Sequence, residues 1–223
     1  HRVTSPFASP GKFRNAPHGG LDIGSPVGTP LVCCLPEATV TFRRQMPGGE
    51  WSGDNHLPGY GYYISISGNG YAPNGSSTKY TIHYGHCEGF IPPTVDSANG
   101  TISNARSQNV LSFQDLKALA TSEGWVGDNP HKSIKFPRKV KYGEVIASSG
   151  GAKGMRGAGS STGPHMHMTI KKGGNSGEKL DPQLYVNDFY VIPGGDRNDH
   201  LNTTPYIPET NATDVPTEKQ RVD

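Results

Sequence analysis

The sequence predicts a mainly β protein built from antiparallel strands, with long loop insertions and one short helix. Two observations favour this class. Glycine and proline are frequent, with 30 Gly and 19 Pro in 223 residues, and only 18% of residues are charged, which is typical of turn-rich β proteins. Several short runs also alternate apolar and polar residues, the pattern of strands that turn one face to a core.

This alternation, together with the turn residues between the runs, places the strands. Residues 60–67, Tyr-Gly-Tyr-Tyr-Ile-Ser-Ile-Ser, alternate most clearly. Gly68-Asn-Gly70 predicts a turn directly after them, and the chain from Gly150 to Gly159 predicts a flexible loop. Other extended segments are predicted at 3–7, 38–42, 80–87 and 165–170. A turn that leads into a strand is predicted at 28–35 and at 140–147, and residues 180–186 are expected to close the core.

One domain with insertions accounts for most of the length. We assign residues 1–193 to this domain, with insertions at 43–59 and 88–137. The second insertion contains the only clear helix, 112–123, in which Ser112 and Asp115 have the spacing of a capping box and Gly124 suits the C-terminal cap. Residues 194–223 are polar and lack periodicity, which predicts an extended tail or linker.

Composition also bears on the class of partner. The net charge is +2 at pH 7, too small a basic field to indicate nucleic-acid binding. No apolar run is long enough to span a membrane.

The three cysteines, Cys33, Cys34 and Cys87, contain no Cys-x-x-Cys pair, so we expect small buried side chains and not a cysteine-based zinc site. A disulfide from Cys87 to either of the others stays open.

Candidate functional residues lie in three segments. His165 and His167 alternate with Met166 and Met168 in a predicted strand, so both imidazoles share one face. His18 and Asp22 are four residues apart, and the two glycines between them make a helix improbable and allow the backbone to pass close to another group. Residues four apart in an extended chain also share a face.

The third segment is the strand around His86. Alternation places His86 on the same face as Ile82 and Tyr84, and His83 with Cys87 on the other face. Only one of these two histidines is therefore predicted to face a given site. Two histidines and a carboxylate that leave one coordination position open are the requirement for catalytic zinc, and further histidines can orient water. Taken alone, each segment also fits an ordinary surface histidine.

The order of these segments resembles a known family. His-x-x-x-Asp near the start, Tyr-x-His in the middle and Gly-Pro-His-x-His near the end are similar to the motifs of the LytM/lysostaphin-type zinc metallopeptidases, the M23 peptidase family. The resemblance covers about residues 3–186 without the insertions. Its supporting segments are Thr4-Ser-Pro-Phe7, Gly24-Ser-Pro-Val-Gly-Thr-Pro30, Gly59-Tyr-Gly-Tyr-Tyr-Ile64, Val140-Lys-Tyr-Gly-Glu-Val-Ile146 and Ser160-Ser-Thr-Gly-Pro-His165.

The resemblance implies a site and a reaction. His18, Asp22 and His167 would bind Zn²⁺, while His86 and His165 would be the catalytic histidines. The fold would be a small antiparallel β-sheet or β-sandwich of the LytM type, similar to a duplicated hybrid motif. The chain would then be a zinc metalloendopeptidase that hydrolyses peptide bonds of bacterial peptidoglycan, either in the stem peptide or in the cross-bridge.

The sequence departs from the family pattern at several positions. Cys87 stands where the family usually has Leu, and Met166 and Met168 replace the common Leu and Phe, which are conservative packing changes. The 88–137 insertion is longer than usual, so the choice of substrate stays open. It is expected to dock on the barrel and border the groove.

Two other functions compete with the peptidase. A catalytically inactive LytM-like module that binds, activates or has a structural role is the alternative to an enzyme. Gly159-Ser-Ser-Thr-Gly163 also fits the Gly-x-Ser-x-Gly pattern of serine hydrolases, with Ser161 as the nucleophile. That motif requires a strand, a sharp turn and a helix, whereas a loop, Pro164 and a strand are predicted here.

A peptidoglycan substrate implies action outside the cytoplasm. The sequence shows no signal peptide, and its cysteines are expected to be unpaired, which favours a phage tail or virion-associated lysin that contacts other virion proteins. A periplasmic or secreted enzyme is the alternative.

Overall fold

The computed structural model describes residues 2–9, 16–46, 53–72, 74–93, 110–127 and 129–185. Within these ranges the protein forms two antiparallel sheets and a single α-helix, as the sequence predicts. The strands are β1 (Arg2–Ser5), β2 (Leu21–Gly24), β3 (Pro30–Val32), β4 (Glu37–Arg44), β5 (Tyr62–Tyr71), β6 (Ser77–Gly85), β7 (Cys87–Phe90), β8 (Ser133–Lys141), β9 (Val145–Ser149), β10 (Met166–Lys172) and β11 (Lys179–Leu180).

The large sheet has eight strands in the order β1-β2-β10-β6-β5-β4-β8, with β11 paired to β10. The small sheet has the order β3-β9-β7. Strand β10, which carries the Gly-Pro-His-x-His motif, lies between β2 and β6. The three segments with candidate ligands therefore meet on neighbouring strands, although they are far apart in sequence.

The two faces of the large sheet differ in polarity. One face carries fully buried Val40, Phe42, Ile64 and Ile82 and packs against the small sheet, where the rings of Phe42 and Phe90 lie 5.4 Å apart. Burial of this apolar surface is the main stabilising contribution to the fold. The opposite face carries hydroxyl, imidazole and cationic side chains, among them Ser65, His83 and Thr169, which are neighbours across β5, β6 and β10.

Helix α1 (Phe113–Ser122) contributes to the same core. Ser112 and Asp115 form the predicted capping box, and Gly124 has the positive φ of 73° that a C-terminal cap position requires. Phe113, Leu116 and Ala120 are buried. The expectation that this helix docks on the sheets is confirmed, with Phe113 as a further contact.

The predicted turn at Gly68-Asn-Gly70 is wrong. Strand β5 continues to Tyr71 and pairs with β6 through this segment, and the turn forms at 72–76, where the Asn74 carboxamide accepts a hydrogen bond from the Ser76 amide (3.1 Å). A Cβ at Gly68 would lie 2.1 Å from the carbonyl oxygen of Glu37. This glycine is explained by a close approach of β4 and not by a turn.

The turn and strand predicted at 140–147 correspond to the turn after Lys141 and to strand β9, whereas strand β8 before them is not predicted. It contains Pro137, which lacks an amide hydrogen and is therefore tolerated in a sheet at edges and irregularities. Strand β8 is an edge strand, and its pairing with β4 shifts register between Thr39 and Thr41. Strands β7 and β8 take residues from both ends of the expected 88–137 insertion, which is therefore shorter than predicted.

The segment from Gly150 to Gly159, predicted to be flexible, is hydrogen-bonded to the chain around Tyr60. The Tyr62 amide donates to the Gly157 carbonyl, and the neighbouring Ser160 amide donates to the Gly59 carbonyl, both at 2.8 Å. At Gly61, a Cβ would lie 2.1 Å from the Gly157 carbonyl oxygen. Glycine is thus required where these two loops cross.

Cys33, Cys34 and Cys87 are free and buried, so the disulfide left open by the sequence does not form. No helix in the described part of the chain has the length and apolarity needed to cross a membrane. The predicted tail at 194–223 lies outside the described residues.

Replacing Leu116 with Ala should lower the free energy of unfolding by about 2–5 kcal/mol, because it leaves a cavity in a fully buried position. Lys117→Ala, one residue further along the helix, should cost less than about 0.5 kcal/mol. Urea unfolding of both variants measures the difference. Equal stability of the two would show that helix α1 is not part of the core.

Candidate metal centre

Two imidazoles and one carboxylate converge on the polar face of the large sheet. His18 Nε2, His167 Nδ1 and Asp22 Oδ1 lie 2.7–3.2 Å from one another, and all three residues are buried. Among the described residues, this is the one group of three His, Cys, Asp or Glu side chains arranged to hold a metal ion. It contains the three residues that the resemblance implies as zinc ligands.

Strand pairing brings two of these side chains together. His167 on β10 lies directly opposite Asp22 on β2, so the two side chains leave the sheet on the same face. Gly20 makes room for the histidine ring, because a Cβ there would lie 2.6 Å from His167 Nε2 and 2.3 Å from the Met168 carbonyl oxygen. The close backbone approach expected of the Gly-Gly pair is thus found at the metal centre itself.

The N-terminal segment orients His18. Its backbone exchanges hydrogen bonds with Ala8 (2.8 Å) and Ser9 (3.1 Å), and its Nδ1 donates to the Pro6 carbonyl oxygen at 3.0 Å. With the proton on Nδ1, Nε2 presents a lone pair to the cluster. The first strand and the turn after it therefore position a ligand.

Thr169 and Tyr60 fix the second histidine. His167 Nε2 lies 3.0 Å from Thr169 Oγ1, and that hydroxyl also lies 3.0 Å from the Tyr60 hydroxyl. The Tyr60 ring packs 4.9 Å from the His167 ring. Donation from Nε2 to the threonine leaves the lone pair of Nδ1 for the cluster, as is usual for histidines that bind metals.

The carboxylate of Asp22 is ionised. Burial raises its pKa, but the imidazoles of His167, His18 and His165 beside it outweigh burial and hold the pKa far below its usual value of 3.8. Burial also lowers the pKa of His167. The cluster therefore offers an anionic oxygen and a neutral imidazole, the forms that bind a metal.

His86 lies beside this cluster, but strand alternation does not place it there. Strand β6 ends at Gly85, and His86 has a left-handed backbone with φ of 61°. This turn carries its ring to the polar face, 4.7 Å from the ring of His165. The prediction that His83 and His86 face opposite sides is wrong, because Tyr60 contacts both rings, at 6.2 Å and 6.4 Å.

Hydrogen bonds to two backbone carbonyls orient the remaining imidazoles. His86 Nδ1 donates to Ala158 (2.7 Å) and His165 Nδ1 donates to Gly163 (2.8 Å), which leaves Nε2 of each ring without a proton. His165 Nε2 lies 3.6 Å from Asp22 Oδ1. Burial, followed by the charges of His165 and His167, lowers the pKa of His86 to about 3, so its ring is neutral near pH 7.

Ser161 is not arranged as a nucleophile. Its hydroxyl lies 2.7 Å from the Gly151 carbonyl, 2.9 Å from the Gly163 carbonyl and 3.1 Å from His165 Nδ1. The segment continues into strand β10, whereas the serine-hydrolase motif requires a helix after the serine. Ser161 instead supports the loop that carries His165.

The cluster fits a zinc ion. Nitrogen and oxygen ligands about 2.0–2.1 Å from a tetrahedral zinc lie about 3.3 Å from one another, close to the separations found here. Two histidines and one carboxylate also leave a fourth position for water or substrate. Thr169 and Tyr60 were missed by the sequence analysis, although a hydroxyl two residues after a ligand on the same strand face is a usable signal.

Removing His83 should weaken the dependence of stability on pH. Burial lowers its pKa from 6.5 to about 4, so between these values the unfolded chain binds a proton that the folded chain does not. Stability should therefore fall as pH decreases from 6.5 towards 4, and His83→Gln should remove this contribution. Urea unfolding at pH 7 and pH 5 gives the comparison.

The control is His56→Gln, at an exposed histidine, which should keep the wild-type difference between the two pH values. All three proteins retain the same cluster, so acid release of a metal contributes equally to each. If His83→Gln also keeps the wild-type difference, His83 is protonated without cost in the folded protein.

Several solved structures are similar to the structure of this protein. No family model and no curated protein matches the sequence. The structure is similar to the catalytic domain of the prophage-encoded M23 protein EnpA from Enterococcus faecalis, solved as a point mutant, with 19% identity, 81% of this chain and 88% of that chain covered, and a TM-score of 0.40.

LytU matches with 21% identity, 81% of each chain and a TM-score of 0.42. The catalytic domain of the antimicrobial peptidase lysostaphin from Staphylococcus simulans matches with 15% identity, 82% of this chain, 90% of that chain and a TM-score of 0.37. Each of these three structures, one of them an M23 protein, matches about four fifths of this chain.

Proposed function

We propose that this protein is a zinc-dependent endopeptidase that hydrolyses peptide bonds in bacterial peptidoglycan. The observation that supports it best is the convergence of His18 Nε2, Asp22 Oδ1 and His167 Nδ1 beside two further oriented imidazoles. A structural role for the cluster would not require the lone pairs of His86 and His165 to be kept available next to it. Catalysis does require them.

His18, Asp22 and His167 hold the metal in this proposal. A bound zinc ion would supply Lewis acidity there, which would polarise a peptide carbonyl and activate water for attack. Asp22 offsets part of the positive charge, and Thr169 and Pro6 keep the two ligand imidazoles in the tautomers that expose a lone pair to the cluster.

His86 and His165 handle the proton. Each ring directs an unprotonated Nε2 into the site, because its Nδ1 proton is given to a backbone carbonyl. One of these nitrogens accepts a proton from the attacking water, and the same proton is then delivered to the departing amine. The other takes up a proton from solvent, donates it in a hydrogen bond to the developing oxyanion and returns it to solvent when the products leave. The low pKa of His86 keeps it an acceptor at neutral pH.

The substrate class rests on the motifs, which resemble those of the M23 peptidases that cut peptides in bacterial cell walls. Such a substrate implies action outside the cytoplasm, reached either on a phage virion with other tail proteins as partners or by export. Detection of the protein in purified virions distinguishes these two routes.

Purified protein should bind one zinc ion per chain, and His167→Ala should abolish tight binding. Thr169→Val removes the acceptor of the His167 proton and should weaken zinc binding by about 10- to 100-fold. Tyr60→Phe should have a smaller effect in the same direction. Competition with a chromogenic chelator measures each affinity.

Tyr63→Phe is the matched control, since Tyr63 packs against Tyr60 and His83 through its ring. It should bind zinc as the wild type does. A wild-type protein that takes up no zinc from a zinc-replete solution would refute the enzymatic proposal.

His86→Ala and His165→Ala should each retain zinc but lose turnover by roughly 100-fold or more, because each removes a group that moves a proton or stabilises the oxyanion. His131→Ala, at an exposed histidine, should keep full activity. Digestion of purified peptidoglycans, followed by mass analysis of the fragments, measures turnover and identifies the cleaved bond. A zinc-loaded wild type that cleaves none of them would favour an inactive binding or activating module.

A further inference from the structure

Two lysines face each other next to the metal centre. Lys171 on β10 and Lys179 on β11 are directly opposite in the antiparallel pair. Lys171 is four residues after His167 and two after Thr169 on one strand, so these three side chains leave the sheet on the same face. The side chain of Lys179, as the cross-strand partner of Lys171, leaves on that face too.

This arrangement places like charges side by side. Like charges directly opposite on neighbouring strands are destabilising, and the pKa of Lys171 is lowered by burial and by the charge of Lys179. Within the described part of the chain, neither lysine has an ion pair with a carboxylate. The Lys171 ammonium group donates to the backbone carbonyl of Asn175, a contact that leaves its positive charge uncompensated.

Lys179 reaches back to the metal-binding motif. The end of its side chain occupies the space beside Gly19, where a Cβ would lie 2.4 Å from Lys179 Nζ. Gly19 follows the ligand His18, and its carbonyl oxygen accepts from Thr169 at 3.3 Å. The charge of Lys171 also acts on His83, whose ring neighbours Tyr60. Both cations therefore border the floor of the candidate active site.

We propose that Lys171 and Lys179 form an anion subsite that binds a free carboxylate of the peptide substrate, beside the bond to be cleaved. This inference rests on the proposed function and specifies its substrate: a wall peptide with an ionised carboxylate, in preference to the same peptide with a carboxamide. An incoming carboxylate compensates two positive charges that the fold leaves adjacent, and charge-assisted hydrogen bonds fix its position.

The experiment compares one wall stem peptide in two forms, with a free carboxylate and with the corresponding carboxamide, as substrates of the zinc-loaded full chain. The wild type should favour the carboxylate by about three- to tenfold in kcat/KM, mainly through KM, as expected for a partly exposed ion pair. This ratio should approach 1 in the Lys171→Gln, Lys179→Gln double variant. Raising the salt concentration should reduce it in the wild type.

Lys172→Gln is the matched control, because it removes one positive charge from the next position of β10, on the opposite face of the strand. It should keep the wild-type ratio. An equal ratio in the wild type and the double variant overturns the inference, as does an equal loss in Lys172→Gln, which would indicate a general effect of net charge.

Equilibrium binding of the two peptides separates this inference from the proposed function. If the wild type cleaves neither peptide but binds the carboxylate form more tightly than the double variant does, the subsite stands and the peptidase proposal falls. If it cleaves both at the same rate, the subsite falls and the peptidase proposal stands. Competition by inorganic phosphate with no preference between the two peptides would identify a phosphate site and overturn the assignment to a carboxylate.

Discussion

A single buried carboxylate oxygen determines how the functional part of this protein is arranged. Asp22 Oδ1 lies 2.7 Å from His167 Nδ1 and 3.2 Å from His18 Nε2. Burying a carboxylate is costly unless it is paired or bound to a metal. The pairing of β2 with β10, the absence of a side chain at Gly20 and the N-terminal turn that orients His18 all serve to bring imidazoles to this oxygen.

The two faces of the large sheet have different roles, since one packs in the core and the other carries the candidate site. Its apolar face packs against the small sheet and helix α1 and contains the large aromatic side chains. Its other face carries the ligands, the two oriented imidazoles and the lysine pair. Since successive residues of a strand point to opposite faces, His167 and Thr169 of β10 are each followed by a core residue, Met168 and Ile170. A one-residue slip of this strand would exchange the two sets.

Patterns that depend on local chemistry could be predicted from the sequence, and features that depend on distant partners could not. The helix caps and most strands follow from spacing and alternation, whereas the grouping of His18, Asp22 and His167 was implied by the resemblance of the motifs to the M23 family. The extension of β5 through Gly68 could not, because a neighbouring strand and not a turn requires that glycine. The edge position that tolerates Pro137 and the left-handed turn at His86 are likewise set by tertiary contacts.

His86 is one of two non-glycine residues with positive φ in the described part of the chain, the other being Ala8. A left-handed backbone costs a non-glycine residue on the order of 1 kcal/mol, a strain that glycine avoids. Selection for thermal stability alone would therefore tend to replace this histidine with glycine. Under the proposed function, selection for hydrolysis would retain the histidine, so related sequences that do not hydrolyse peptides should more often carry glycine at this position.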